Sequence, residues 1–518
     1  MKFHSIALAA AACAAAPAFA APAVNVDAPS TVRLYTSGAT ALRAAIAGVI
    51  LKDVCGGTAT NASTTLYNVV ESGTSFKFNG NFWAITCKVD AVGGAKIGLP
   101  ANTNIAFFNS GAGGSAQGVF PVYFEDQRPF VETSNLANCK GATASDPAFA
   151  NVTDRAYFGC PSTRSAVPNL GISDVEPKLF KGINVPKDPL DADDDVYPAD
   201  GLSDGQLAEL TVMPVIQTVF ALAVNANLYN DMFAKQGLAT KYSTAGVLCT
   251  TASTDESCTP SVGLAEARSI FAGTETNWRL LSNNAALVGS QVNVCRRVDG
   301  SGTQAAANLQ LFGFPCNANS GSPADYSFAD SAAAEAMSAS KATTVSGKSI
   351  ANYLIDNMGG NAGNGPMPTG TTFVFEGPGT GDVTACLTAA NKAGGYAVGH
   401  VSKENPATAT WKHVRLEGAV ADGAFAKQGR YDYLVESTIQ YKTAASRTAE
   451  QQAFIDGFTA QIAKPDALAK LSSNNQAGVL ALPGSYAGDF GVGSVNEIKF
   501  GSRVTRNGNS CNPLAAVK

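Results

Sequence analysis

Residues 292–313 read VNVCRRVDGSGTQAAANLQLFG. An apolar run ends in Arg296 and Arg297. Asp299, Ser301, Gly302 and Thr303 follow at the mouth of an Ala/Leu-rich helical pattern. Such a grouping is suited to holding an oxyanion. A helix N-terminus presents unpaired N–H groups and about half a positive charge. Hydroxyls in the turn add donors, and an arginine grips an anion with a rigid, planar fork. The same order of strand, small-residue turn and helix start recurs around Ser37-Gly38-Ala39-Thr40 and between Ser110 and Ser115. Ser173-Asp174 also comes directly after an apolar approach.

The elements that must position these turns are legible in the hydrophobic pattern. Val32 and Leu34 lead into the first turn and Ile105 to Phe108 into the second, both strand-like. LTVMPVIQTVFALAVN, residues 210–225, is a nearly unbroken apolar run of the kind buried on both faces. GGYAVGHVSKEN and YDYLVESTIQY predict two later strands, and GLAEARSIFAGTETNWRLL two short helices around Gly273. AEQQAFIDGFTAQIA predicts an amphipathic helix with Phe454, Ile455, Phe458 and Ile462 on its apolar face. Alternating strands and helices imply an α/β fold with mostly parallel sheets. Stretches rich in Gly, Ser, Thr and Asn near 56–64, 240–260, 318–347 and 358–382 read as surface insertions. No clean linker divides the chain, which fits lobes built from interleaved segments.

Composition narrows the function classes. The 518 residues exceed one small core, and 45% apolar with 15% charged residues is globular. A net charge of −5, with both signs mixed, gives no sign of the basic stripe that nucleic acid requires. Residues 1–20 read as an export signal: Lys2, an apolar run, then Ala18-Phe19-Ala20 as the cleavage site. Cys13 has no Leu three positions upstream, as a lipoprotein signal would. No later stretch has the length of a membrane span. The expected location is periplasmic or secreted.

Cys13 falls in that signal, which leaves ten of the 11 cysteines. In an exported chain they point to disulfides. Pairing neighbours in sequence gives Cys55–Cys87, Cys139–Cys160, Cys249–Cys258, Cys295–Cys316 and Cys386–Cys511. No C-x-x-C is present and only His400 and His413 follow the signal, so no metal site is expected. Asp191, Asp193 and Asp195 have the spacing that opens an EF-hand loop, but Val196 and Leu202 stand where its Gly and Glu belong, so a solvated acidic loop is expected. No G-x-S-x-G elbow occurs, and neither histidine has an evident carboxylate partner, so no hydrolase triad and no enzyme are expected. Trp83, Trp278 and Trp411 are scattered and read as packing residues.

VNVCRRVDGSGT closely resembles the arginine–aspartate–GSGT segment of the periplasmic phosphate-binding proteins of ABC importers. In the same order along the chain, LYTSGAT, FNSGAGGSAQG, GISDVEP, TVMPVIQTVFALAVN, SIFAGTETNW and GGYAVGHV are similar to further segments of that family. The resemblance implies a two-lobed type II periplasmic binding protein fold. Residues 21–218 and 432–518 would form lobe one and 219–431 lobe two, with crossings near 211–225 and 430–441. It implies inorganic phosphate as ligand, an ABC importer as partner and no cofactor. The implied ligand set is Thr40, the Ala41 N–H, Ser115 (with Ser110 as the alternative), Asp174, Arg297, Asp299 holding the Arg297 fork, and Ser301, Gly302 and Thr303. Ala41 stands where that family often has an aromatic residue, and this chain is longer and richer in cysteine.

Elementary chemistry agrees with that set. Phosphate near neutral pH keeps at least one proton, so a buried, ionised Asp174 accepts a hydrogen bond from it and repels sulfate, which has none to give. Taken alone, Asp174 reads as a helix N-cap and Asp299 as a turn residue paired with Arg297. A different class stays open: a secreted or surface-matrix protein that keeps the fold for adhesion or assembly, with phosphate binding weak or lost.

Overall fold

The computed structural model describes residues 22–56, 63–69, 80–144, 155–186, 197–316, 344–345, 348–349, 372–486 and 493–517. Residues 1–21 with Cys13, read above as an export signal, most of the stretch 56–64, the acidic run through Asp191, Asp193 and Asp195, most of 318–347 and all of 358–371 lie outside the described residues.

One mixed sheet of 14 strands organises the chain. In sequence they are β1 (Val32–Gly38), β2 (Thr65–Val69), β3 (Phe82–Lys88), β4 (Asn104–Ser110), β5 (Lys140–Ala144), β6 (Arg155–Cys160) and β7 (Leu170–Ser173). Then come β8 (Leu210–Asn225), β9 (Val292–Arg297), β10 (Thr372–Gly377), β11 (Val398–Ser402), β12 (Trp411–His413), β13 (Leu434–Lys442) and β14 (Val479–Ala481). Their spatial order is β10-β9-β11-β8-β13-β7-β1-β4-β3-β2-β6-β5, with β12 and β14 also on β8. The strands that carry the small-residue turns are parallel pairs: β1 with β4 and β7, and β9 with β10 and β11. The expected predominance of parallel pairing does not hold elsewhere. β8 runs antiparallel to β11, β12, β13 and β14, and β3 antiparallel to β2 and β4.

Two large hydrophobic cores hold this α/β fold together. The first gathers Leu34, Ile46, Ile85, Phe107, Phe454 and Phe458; the second gathers Phe120, Phe180, Phe220, Met232, Leu311 and Tyr433. β8 and β13 belong to both. Val215 and Ile216 pack in the first core; Leu210, Val219 to Leu222 and Val224 pack in the second. Ile439 and Tyr441 pack in the first, and Leu434 and Val435 in the second. The antiparallel register of β8 on β13 shifts between Pro214 and Ile216, close to that crossing. Proline has no N–H for the ladder, and a bulge bends the strand where it passes between cores.

The helices follow their sequence signals. α1 (Arg43–Val49) follows the first turn, α2 (Gly302–Phe312) the GSGT turn, and α3 (Thr380–Lys392) a third Gly-rich turn after β10. α4 (Ala449–Ile462) opens with a Thr448/Gln451 capping box and buries Phe454, Ile455, Phe458 and Ile462 as expected. The Phe458 ring lies 5.2 Å from that of Phe107 on β4. Each such apolar side chain contributes about 1.5–3 kcal/mol of burial. All three tryptophans are buried.

Three expectations need correction. Only the first of the two short helices around Gly273 forms, at Leu264–Phe271; residues 274–281 are turns that seat the buried Trp278, whose indole N–H donates to the Gln291 carbonyl. Residues 372–382 are no surface insertion but β10 and the start of α3. Cys55–Cys87, Cys139–Cys160 and Cys249–Cys258 pair as expected, but Cys295 joins Cys386 and Cys316 joins Cys511. Cys295 points from β9 into the small core that α3 covers, where Cys386 lies. The C-terminal segment returns past the end of α2, which brings Cys511 to Cys316.

Peptide mapping of the unreduced protein will recover cross-linked peptides joining Cys295 to Cys386 and Cys316 to Cys511. A Cys295–Cys316 peptide would contradict the packing of α3 on β9. Replacing Cys316 and Cys511 together with serine will lower stability by about 2–5 kcal/mol in denaturant unfolding.

Candidate functional site

The turns singled out in the sequence meet where the two cores adjoin. Parallel pairing puts the C-terminal ends of β1, β4 and β7 side by side: Ser37 is level with Ser110 and with Gly171. The Ala39 N–H donates to the Ile172 carbonyl at 2.7 Å, and the Ser37 hydroxyl to the Gln117 carbonyl at 2.6 Å. Gly38 sits at φ +121°, and a Cβ there would lie 2.0 Å from the Ile172 oxygen, so only glycine allows this approach. The GSGT turn docks onto the same group: the Ala116 N–H donates to the Gly300 carbonyl at 2.9 Å. A Cβ on Gly302 would meet the Ser115 Oγ at 2.3 Å and the Asp174 Cβ at 2.7 Å. Ser115, Asp174 and the first turn of α2 are therefore in direct contact.

Each residue of the expected set can be placed. Thr40 is half-buried and Ala41 buried just before α1; the Thr40 carbonyl accepts from the Arg43 Nε at 3.0 Å. Ser115 is buried, and its Oγ accepts from the Asp174 N–H at 3.1 Å. The alternative Ser110 is also buried, with its hydroxyl unpartnered among the described residues. Asp174 is 2% exposed, and its Oδ1 has no hydrogen-bond partner among the described residues. Arg297 ends β9 at 1% exposure, and Asp299 is half-buried in the turn that follows. Ser301 caps α2 by accepting from the Gln304 N–H, and Gly302 is buried beside it. Thr303 is buried with its hydroxyl unpartnered among the described residues.

The electrostatics join residues far apart in the chain. Burial pushes the Asp174 carboxyl up to about 6, against the lowering pull of Arg297, the Ser115 hydroxyl and Arg43. Burial lowers Arg297, while Asp174 and Asp382 favour its charge. Arg297 is held in place by the Pro378 carbonyl at 2.6 Å and the Thr380 hydroxyl at 3.3 Å. Asp382 caps that same turn by accepting from the Gly379 N–H at 2.7 Å. Arg296 points elsewhere and pairs with the buried Glu376.

Several of these residues escape a sequence reading. FEGPGTGD, residues 375–382, has the same strand, glycine turn and helix start as the other turns, but its composition also suits a loop. Arg43 and Glu404 carry no motif. Arg43 lies near enough to Asp174, Arg297 and Glu404 to feel all three charges, and burial lowers it to about 10. Glu404 follows β11, and burial together with Asp174 pushes it up to about 8, so near neutral pH it is mostly protonated and a donor. His400, buried on β11, is held neutral by burial and by Arg297 and Arg296, at about 3, and its Nε2 bonds the Gln304 side chain at 3.0 Å. Among the described residues no group of His, Cys, Asp and Glu is arranged to hold a metal ion, and no helix is long and apolar enough to cross a membrane. The cluster thus offers two guanidinium groups, several hydroxyl and N–H donors, and one ionisable acceptor.

No protein-family model and no curated protein matches this chain. Solved structures do show likeness. One is described as a phosphate ABC transporter substrate-binding protein from Clostridium perfringens with bound phosphate: 14% identity, 85% of this chain and 98% of that one covered, TM-score 0.37. Two are phosphate-binding proteins from Stenotrophomonas maltophilia, each 12% identical. One covers 83% of this chain and 84% of its own at TM-score 0.35, the other 86% and 91% at 0.36. Overlaps this loose transfer neither residues nor ligands, and the site's chemistry stands on its own geometry.

Proposed function

We propose that this protein is an exported, non-enzymatic solute-binding protein. It captures inorganic phosphate between its two lobes, in the type II periplasmic binding protein manner, and delivers it to an ABC importer. Lobe one comprises residues 21–218 and 432–518, lobe two 219–431, and β8 and β13 form the hinge. The observation that carries the reading is the buried juxtaposition of Asp174, Ser115 and the N-terminus of α2, with Arg297 coupled electrostatically to Asp174.

Arg297 offsets the ligand charge, and Asp299 helps to hold its guanidinium in plane. Thr40, the Ala41 N–H, Ser115, Ser301, Gly302 and Thr303 supply the remaining donors. Asp174 accepts the proton that phosphate carries and sulfate lacks. A donor set without it would take both anions. A buried carboxylate facing sulfate leaves an uncompensated charge, at a cost of several kcal/mol.

A second reading has one observation in its favour. The insertion closed by Cys249–Cys258 exposes Tyr242 at 64% and Val247 at 65%, as a contact surface would. In that case the protein serves adhesion or assembly outside the cell and phosphate binds weakly or not at all.

Calorimetric titration of the mature protein separates the two. Phosphate is expected to bind with a micromolar or tighter Kd and sulfate to be rejected; no heat with phosphate would favour the second reading. Arg297→Ala will weaken every bound oxyanion by about 10- to 150-fold, the loss of a charge-assisted hydrogen bond. Rejection of sulfate will be strong while Asp174 is ionised, and will decline as pH falls through about 6, where the carboxyl takes a proton and becomes a donor. The measurement is the sulfate-to-phosphate affinity ratio across that range. A ratio that stays constant would count against Asp174 as the acceptor.

A further inference from the structure

A second cavity of about 580 Å³ opens in the second lobe, between the Cys249–Cys258 insertion and the segment that follows β11. Its size lies within the range of small-molecule sites, about 300–1,000 Å³. Tyr229, Val414 and Phe425 give it an apolar wall; Lys403 and His413 line it with donors, and Glu256 and Asp422 with acceptors. None of the oxyanion-site residues lines it.

The hydrogen-bond chemistry of His413 is what makes the cavity informative. The Lys403 ammonium lies 3.0 Å from His413 Nδ1. An ammonium only donates, so Nδ1 must accept, and the neutral ring then carries its proton on Nε2. His413 Nε2 is buried and has no hydrogen-bond partner among the described residues. Burial, reinforced by Lys403, pushes the ring down to about 3, so it is neutral across the working range. A buried N–H without an acceptor is costly and uncommon in native structures. Lys403 spends one of its three N–H groups on this ring. Lys412 is committed to the Thr251 carbonyl at 2.6 Å. Burial lowers Lys403, against the pull of Asp422, which favours its charged form and is itself committed in part to the Ala424 N–H.

We infer that this cavity is a binding site for a small organic monocarboxylate with an apolar body. The carboxylate takes the His413 Nε2–H and a free N–H of Lys403, while the body lies against Tyr229, Val414 and Phe425. Two lysines and two acids line the cavity, so its formal charge balances, which suits a single negative charge better than a phosphate dianion. The inference stands whether or not the first site takes phosphate. The two are nonetheless neighbours along the chain, since Lys403 lines the cavity and Glu404 feels the charge of Asp174.

Ring-nitrogen NMR of the labelled mature protein tests this, because His400 and His413 are its only histidines once the leader is removed. Benzoate added at constant pH and ionic strength is expected to shift the His413 Nε2 resonance saturably and to leave His400 in place. Acetate, which has no apolar body, should bind at least about tenfold more weakly. Lys403→Met should weaken benzoate by about tenfold or more, the loss of a charged donor. Ala407→Trp, at an exposed rim position where folding is not at stake, should block benzoate and leave phosphate titration unchanged. The absence of a saturable His413 shift with benzoate overturns the inference. So does an unchanged benzoate affinity in both variants.

Discussion

Opposite charges held out of water at the junction of two cores are the constraint on which the rest depends. Asp174 and Arg297 are almost wholly buried, and they come from strands more than a hundred residues apart in sequence. Burial disfavours the charge on both groups, and each favours the charged form of the other. Taking ions out of water costs several kcal/mol apiece, so a fold accepts such a cluster only where the geometry returns that energy. Here the return comes from rigid neighbours. Arg297 is tied to the turn after β10, and Asp174 is fixed through its N–H to Ser115. What remains, buried and without protein partners among the described residues, is the Asp174 Oδ1, the Arg297 Nε and the hydroxyls of Ser110 and Thr303. Under the proposed function, the ligand would give that oxygen a proton and accept from the donors.

The scaffold's unusual features serve that junction. Parallel strands place several C-terminal ends on one edge, and open α/β sheets bind ligands at such edges. Close backbone approach lets the turns touch, which is why Gly38 and Gly302 cannot carry side chains. β8 and β13, antiparallel and shared by both cores, join the two halves through a continuous ladder rather than through a loose linker. Near Pro214 the register of that ladder shifts, where a bulge bends the strand.

Much of this was legible in the sequence because local chemistry dictates it. The turn after β1, the turn after β4 and the GSGT turn are strand–glycine–helix junctions wherever they occur, and the apolar face of α4 has the spacing of a helix. What was not legible depends on distant partners. Cys295 sees Cys386 only because α3 folds over β9, and the stretch of Gly, Thr and Pro that begins α3 looks like a loop until β10 pairs with β9. The antiparallel course of β8 leaves no mark on its composition, since a strand buried on both faces reads alike in either direction. Arg43 and Glu404 have no motif at all; their importance comes from what surrounds them.

The central claim is that one buried carboxylate decides which anion this site accepts. The direct measurement is anion affinity in Asp174→Asn, which keeps the shape and removes the obligatory acceptor. The account expects the variant to bind sulfate about as well as phosphate at neutral pH. A variant that still rejects sulfate as the natural protein does would show that the discrimination lies elsewhere.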